Sequence, residues 1–561
     1  MSHLIYNTLT AICANLNLPS VLFTVLLASF FLCFVAPLLF CASPHASGTQ
    51  PRPDLYSPKG AWPIVGHVFR VLAMRDRQPE PVGRAPELIT LLMERQKDGI
   101  KDPARALCRT IPGTTLILLT RPEHLEWIQK TNFSGYEKGK DLPNNMGQIL
   151  GEGIFTTDGH KWSIQRKASS RIFHNSAFRS VIASSISKSL SELVDVLTHF
   201  ADKGEEIALS DLFFRLTLDS FCHMALGTEP GALKAALLGK SVPFAVAFDY
   251  SQLVMSRRFT NPFWAITERL DGSHARMKEA AKAIDDYAYH LIDEREKELA
   301  KKTAGGGSVE ENEVGVDLLT LYMKIKDDNG RGLNRKELRD AVLALVFAGR
   351  DTTAQTLSWT LFHLLSHPHH IDHIIEEARQ LLDAHGELEY DRLKDMNYTT
   401  AVFMEGARLH PSVPINAWEA VADDQIPNGP RIEKGDKVTW SDWVMARDVE
   451  VWGPDAGQFK PERWLDDQGK YRKESQWKAH MFNGGYRVCL GQTLATFEGV
   501  SVLAHLFTHF DLSFAPDYLS TTPMVKTEWC GSETPLYANS VTLPMAQPLR
   551  VKAVPKRVEK N

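Results

Sequence analysis

Before Arg52 the chain carries no Asp, Glu, Lys or Arg, and within that uncharged stretch Val21 to Ala42 is almost wholly apolar. At about 1.5 Å per residue such a run makes a helix about 33 Å long, enough to cross a hydrocarbon core. A cleaved secretory signal wants a basic start and a shorter apolar core, and neither is present. The pattern therefore predicts a retained transmembrane helix over 19–42 behind a short lumenal segment, 1–18. Arg52, Lys59, Arg70, Arg75 and Arg77 follow, and positive charge on that side places the rest of the chain in the cytosol. Repeated proline from Ser43 to Pro53, and again at Pro58 and Pro63, makes 43–66 a stiff, non-helical hinge.

Beyond the hinge, 67–561 reads as one folded domain with no repeat of fixed period. Helical spacing of apolar positions dominates its middle, from Leu338 to Leu365 and again from Glu376 to Leu382. Asn334 and Glu337 have the N-cap and N3 spacing of a capping box, so a helix is expected to begin there. Val- and Thr-rich pieces at Thr114 to Thr120, Lys437 to Trp440 and Ser540 to Leu543 read as strands. Lys301 to Val316, with Gly305-Gly306-Gly307, reads as a surface loop. The expectation is a mainly helical α+β fold. Composition agrees, since 561 residues with 43% hydrophobic and 23% charged are globular values. A net charge of -5 gives no reason to expect nucleic acid as a partner. Seven cysteines, odd in number and without a C-x-x-C pair, exclude a disulfide framework and point to a reducing compartment. His367-Pro368-His369-His370 lacks a third metal ligand nearby and reads as a solvated helix start.

One local pattern carries chemistry: Phe482-Asn483-Gly484-Gly485-Tyr486-Arg487-Val488-Cys489-Leu490-Gly491, with a helix expected from Gln492. Glycine lets the backbone approach closely, so N–H groups can point at the sulfur. Such donors and a helix N-terminus lower a thiol pKa, and a thiolate suits a soft metal. The spacing F-x-x-G-x-R-x-C-x-G resembles the haem-binding loop of the cytochrome P450 superfamily, in which haem is held by a Cys thiolate. That resemblance implies haem b, with Cys489 as axial ligand of the iron and Arg487 on a haem propionate. Phe482, Gly485 and Gly491 are implied to shape the loop beneath the porphyrin.

Three further motifs lie in the order this family requires. Ala348-Gly349-Arg350-Asp351-Thr352-Thr353 resembles its oxygen-activating segment in a long central helix. By that resemblance Ala348 and Gly349 leave room for dioxygen beside the haem, Thr352 hydrogen-bonds the activated oxygen, and Asp351 relays protons. Mid-helix Gly and consecutive Thr are poor helix formers, so a weakened ladder is expected there. Glu405-Gly406-Ala407-Arg408 and Pro461-Glu462-Arg463-Trp464 resemble the family's structural E-x-x-R and P-E-R-W elements. Glu405 and Arg408, at i and i+3, are expected to pair and capture Arg463. Trp162 and Arg166, at i and i+4, resemble W-x-x-x-R and are implied to face a propionate. Pro58-Lys59-Gly60-Ala61-Trp62-Pro63-Ile64-Val65-Gly66 resembles the hinge of the microsomal form.

The implied activity is that of a haem-thiolate monooxygenase, single-pass in the endoplasmic reticulum membrane with the catalytic domain facing the cytosol. Electrons are implied to come from NADPH through cytochrome P450 reductase, with cytochrome b5 as a possible second partner. Pro411-Ser412-Val413-Pro414, Asn428-Gly429, and Ala247-Phe248-Asp249 with Arg257-Arg258-Phe259 resemble the branch that hydroxylates fatty acids and alkanes at or near the chain terminus. Asn145 to Leu150, Leu343 to Phe347, Val413 to Asn416 and Met545 to Leu549 are implied to face a hydrophobic substrate. Trp418 departs from the branch, which commonly has a base there, and leaves propionate contact from that strand in doubt. The alternatives are hydroxylation of a terpenoid, sterol or other secondary metabolite, rearrangement of a fatty-acid hydroperoxide, and a non-catalytic haem sensor.

Overall fold

The computed structural model describes residues 29, 52, 54–58, 102, 106–111, 114–173, 176–261, 263–304, 317–324, 330–381, 389–525, 533–538 and 540–556. Apart from residue 29, the lumenal and transmembrane expectations lie outside these residues, as does most of the hinge. Among the described residues no helix is long and apolar enough to cross a membrane.

Contacts divide the chain into two compact units. The first comprises Met1–Gln78, Thr90–Leu119 and Glu419–Thr439. In it strand Leu107–Ile111 pairs antiparallel with Thr114–Leu119, from Leu107 opposite Leu118 to Ile111 opposite Thr114. Asp424–Gln425 pairs with Arg431–Ile432 across a turn in which Asn428 takes φ 52°, a left-handed conformation that Asn tolerates better than most. Arg52 was counted above among the charges that trail the anchor. The structure instead buries it, at 3% exposure, with its guanidinium 2.7 Å from Asp436, 2.6 Å from Asp54 and 2.6 Å from the Arg431 carbonyl.

The second unit comprises Pro79–Ile89, Thr120–Trp418 and Trp440–Asn561 and is mainly helical. Its centre is helix Arg335–Ser366. This helix starts at the expected capping box: Glu337 N–H donates to Asn334 Oδ1 at 3.0 Å, and Asn334 N–H to Glu337 Oε2 at 2.8 Å. Helices Leu209–Leu226, Ser273–Ala304, Asn397–Leu409 and Gln492–His509 pack around it, which is why its apolar positions run on without one clean stripe. A three-stranded antiparallel sheet orders Ile207–Ala208, Arg550–Pro555 and Phe510–Phe514, with Val551 opposite both Ile207 and Phe514.

Several expectations change. Thr114–Leu119 and Lys437–Ser441 are strands, but residues 540–543 are not. The Leu543 N–H donates to Gln355 Oε1 at 2.9 Å and its carbonyl accepts from Trp359 Nε1 at 2.8 Å. Side chains of the central helix thus satisfy the backbone groups a neighbouring strand would have taken. Helix Ser273–Ala304 extends into the stretch read as a loop from Lys301. His370 is buried rather than solvated, its Nδ1 2.7 Å from the Tyr398 hydroxyl.

Candidate active site

The cysteine loop is two 3-10 turns, His480–Phe482 and Gly485–Arg487, ahead of helix Gln492–His509. Cys489 N–H donates to the Phe482 carbonyl at 2.8 Å and closes the loop. Gly485 has φ +59°, and a Cβ there would sit 2.3 Å from the Gln129 carbonyl oxygen, so both turn and packing require glycine. Cys489 retains accessible surface, yet protein atoms crowd its thiol. That burial pushes its pKa up, against the Gly491 N–H and the Arg166 cation, which pull it down. The depressed thiol expected from loop donors is therefore reversed in the polypeptide, and a cation on the sulfur would favour the thiolate form.

Trp162 and Arg166 lie on helix Gly159–Phe173, and the structure brings both to the cysteine loop. Trp162 stacks under the Arg487 guanidinium at 4.3 Å from the ring centroid, and Arg166 acts electrostatically on both Cys489 and Arg487. Arg487 itself is already occupied, with Nη2 2.5 Å from Asp158 Oδ1. Burial lowers its pKa to about 10, with Asp158 opposing and Arg166 assisting. Phe133 and Trp418, with ring centroids 5.8 and 5.7 Å from the guanidinium carbon, complete an aromatic box around it. Trp418 is therefore a buried wall of that box, edge-on to Trp440 at 5.6 Å. Asp158 was not singled out from the sequence, although an acidic residue just before a helix is a recognisable cap signal. Lys138 was also missed: its Nζ donates to the Phe155 carbonyl at 2.7 Å, and burial beside Arg487 pushes its pKa well down.

Arg166 and the Trp162 indole N–H make no hydrogen bond among the described residues. A thiol, a guanidinium without an anion and an indole donor thus converge on one place. That donor set fits an iron macrocycle bearing carboxylates, with a soft ligand for the metal and donors for the anions.

The central helix is continuous through Ala348 to Thr353, but its carbonyls are drawn off by hydroxyl groups. Thr352 Oγ1 donates to the Ala348 carbonyl at 2.7 Å. Thr217 Oγ1 donates to that of Arg350 at 2.8 Å. The Thr352 carbonyl accepts from both Thr356 at 2.9 Å and Ser412 at 2.8 Å. The weakening expected from Gly and Thr thus takes the form of side-chain competition for ladder acceptors. Gly349 does not supply room for a ligand: a Cβ there would fall 2.0 Å from Phe221 Cδ2, so it permits a helix crossing instead. Ala348 and Thr352 are half-buried. Asp351 is buried, with Oδ1 3.1 Å from Arg350 Nη1 and Gln252 donating to Oδ2. Burial raises its pKa to about 6, Arg350 opposing and Asp249 adding to the rise.

Glu405, Arg408 and Arg463 meet as their spacing implies. Arg408 donates to both Glu405 oxygens at 2.7 and 2.8 Å, and Arg463 Nε reaches Oε1 at 2.9 Å. Trp464 Nε1 and the Lys460 N–H add bonds of 2.9 Å. Burial alone pushes Glu405 up, but the two guanidinium groups override it and hold its pKa down. Arg258, from the branch pattern, is buried and bidentate on Glu268 at 2.7 and 2.9 Å, with a third bond of 2.8 Å to Gln148. It ties helix Pro243–Thr260 to helices Trp264–Leu270 and Asp141–Leu150.

A profile of the family described as Cytochrome P450 matches residues 108–529. Cytochrome P450 monooxygenase cyp1 of Mycosarcoma maydis is 37% identical over 91% of this chain and 76% of its own length. Cytochrome P450 86B1 of Arabidopsis thaliana is 35% identical over 68% of this chain and 70% of its own. Among solved structures, the haem domain of cytochrome P450DA superposes with a TM-score of 0.70 at 20% identity, covering 90% of this chain and 98% of that one.

Proposed function

The chain belongs to the cytochrome P450 family, and from that premise we propose that it hydroxylates a fatty acid at or near its terminal carbon. It is a monooxygenase whose cofactor is haem b and whose electrons come from a reductase. One atom of dioxygen enters the hydrophobic substrate and the other leaves as water, with two electrons and two protons consumed. Haem held by a thiolate, when bound, supplies the reductive activation of dioxygen and the hydroxylation of an unactivated C–H bond.

The protein's own side chains do the rest. Cys489 would hold the haem iron through its sulfur. Arg166 and Trp162 are the free donors for the propionates, and Arg487 adds positive charge from within its aromatic box. Thr352 commits its one proton to the Ala348 carbonyl, which leaves its oxygen as an acceptor in the oxygen-binding space. Asp351, with a pKa of about 6, exchanges a proton near neutral pH, the property a general acid needs. Glu405, Arg408 and Arg463 hold the loop region and take no part in chemistry. NADPH-cytochrome P450 reductase, with cytochrome b5, completes the electron supply. The segments 1–18 and 19–42 serve as lumenal segment and endoplasmic reticulum anchor, and the hinge expected over 43–66 is cut short by the folded residues that begin at Arg52.

The observation that carries the substrate assignment is the set of branch motifs from Ala247 to Gly429, together with buried apolar residues such as Leu343 and Phe347 ahead of Ala348. The test is product analysis with reductase, NADPH and a chain-length series of fatty acids and alkanes. Terminal or near-terminal alcohols are expected. Turnover of a terpenoid or sterol with no fatty-acid product overturns the assignment. Cys489→Ser is expected to abolish the red-shifted Soret band of the reduced carbon monoxide complex, and retention of that band overturns the ligand assignment.

A further inference from the structure

The shared pivot between two carboxylates beside Thr352 is not explained by the roles above. Arg350 Nη1 lies 2.6 Å from Asp249 Oδ1 and 3.1 Å from Asp351 Oδ1. One N–H-bearing nitrogen therefore serves both acids, and Arg350 Nε, though buried, has no partner among the described residues. An arginine that neutralised Asp351 fully would meet it with two parallel bonds. The two acids differ in setting: the Asp249 side chain is 58% exposed and that of Asp351 2%. Asp249 comes from helix Pro243–Thr260, one turn before Gln252, whose amide holds the far oxygen of Asp351. Phe214 and Phe248 lie against the guanidinium at 5.2 and 5.8 Å and confine it.

We propose that Asp249 is a positioning residue for proton delivery. By competing for Nη1, the nitrogen that also reaches Asp351, it keeps that guanidinium from closing on Asp351, so Asp351 remains able to take a proton from water and release it toward Thr352. Arg350 stays cationic throughout, and Asp351 alternates between neutral acid and carboxylate. The charge of Asp249 also acts directly, since it raises the Asp351 pKa where Arg350 lowers it. The other groups facing this cluster are Asp211 and Cys222 on helix Leu209–Leu226, and neither is hydrogen-bonded to Asp351 among the described residues. The inference rests on the monooxygenase activity and not on the fatty-acid assignment.

The experiment compares wild type, Asp249→Asn and Asp249→Glu as haem-loaded full-length protein. The protonated carboxyl band of Asp351 is followed by infrared difference against Asp351→Asn while pH is varied, in the resting state without substrate. Asp249→Asn is expected to lower the midpoint by about one pH unit, the scale of one nearby charge, and Asp249→Glu to restore it. With reductase and NADPH, Asp249→Asn is expected to give less product per NADPH and correspondingly more hydrogen peroxide. An unchanged or raised midpoint, or unchanged coupling, overturns the proposal. If Asp249→Asn loses the thiolate carbon monoxide band, Asp249→Ser is read in its place, and loss of the band in both overturns it in favour of a structural role. Failure of the substrate assignment leaves the infrared result untouched.

Discussion

Asp351 carries the sharpest single-residue consequence. Its pKa of about 6 is raised, so the neutral acid is depleted tenfold for each pH unit above that value. Product formation in the wild type is expected to fall as pH rises through neutrality. In Asp351→Asn it is expected to be roughly a hundredfold lower at neutral pH and flat in the same window. A steady-state pH profile at saturating reductase checks this, and a profile of the same slope in both proteins removes Asp351 from the proton path. Trp418 is the residue at which motif comparison and structure part most usefully. A propionate contact through its single N–H predicts that Trp418→Phe weakens haem retention. The box around Arg487 predicts that Trp418→Phe retains haem as the wild type does, whereas Trp418→Ala costs about 3–5 kcal/mol of stability. Haem transfer to apomyoglobin and thermal unfolding distinguish the two.

Between elements, two contacts were differently legible. The Glu405, Arg408 and Arg463 cluster was readable because i, i+3 spacing is local and charge announces itself. Glu405→Gln leaves Arg408 buried without its anion and is expected to cost about 3–5 kcal/mol. Because the folded pKa of Glu405 is depressed, its contribution is present above the unfolded value and is lost as pH falls through the folded one. Acid unfolding of Glu405→Gln is therefore expected to be shallower than that of the wild type. Gly349 was misread for a physical reason: sequence shows that a side chain is small but not what presses on it. A methyl at Gly349 meets Phe221 at 2.0 Å, so Gly349→Ala is expected to cost about 1–3 kcal/mol by overpacking. Phe221→Leu in the same chain is expected to recover part of that loss. Additive unfolding energies in the double variant show instead that the crossing does not govern this glycine. Residues 540–543 belong with this case, since their strand-like composition says nothing of Gln355 and Trp359 on a helix far away in sequence.

At the scale of the whole chain, the family, the central helix, its capping box and the cysteine loop were legible because each is a local pattern of spacing or cap chemistry. The partners Asp158, Lys138 and Gln252 were not, because each acquires meaning only through a group tens to hundreds of positions away. Arg52 shows how such a contact moves a boundary. Read as a charge trailing the anchor, it belonged to the hinge; buried against Asp436 and Asp54, it belongs to a folded unit. Burial raises the Asp436 pKa, and the Glu433 N–H and then Arg52 oppose that rise, so an Asp436 without Arg52 is a buried acid that has lost its cation and keeps one backbone donor. Deleting residues 1–42 while keeping Arg52 is therefore expected to leave the melting temperature of the haem protein unchanged. Arg52→Met in the full chain is expected to cost about 3 kcal/mol, as loss of one partner from a buried ion pair does. Asp436→Asn in the same chain is expected to recover part of the loss, because the unpaired charge goes with it. If Arg52→Met melts with the wild type, the folded part of the chain begins after Arg52 and the hinge extends through it.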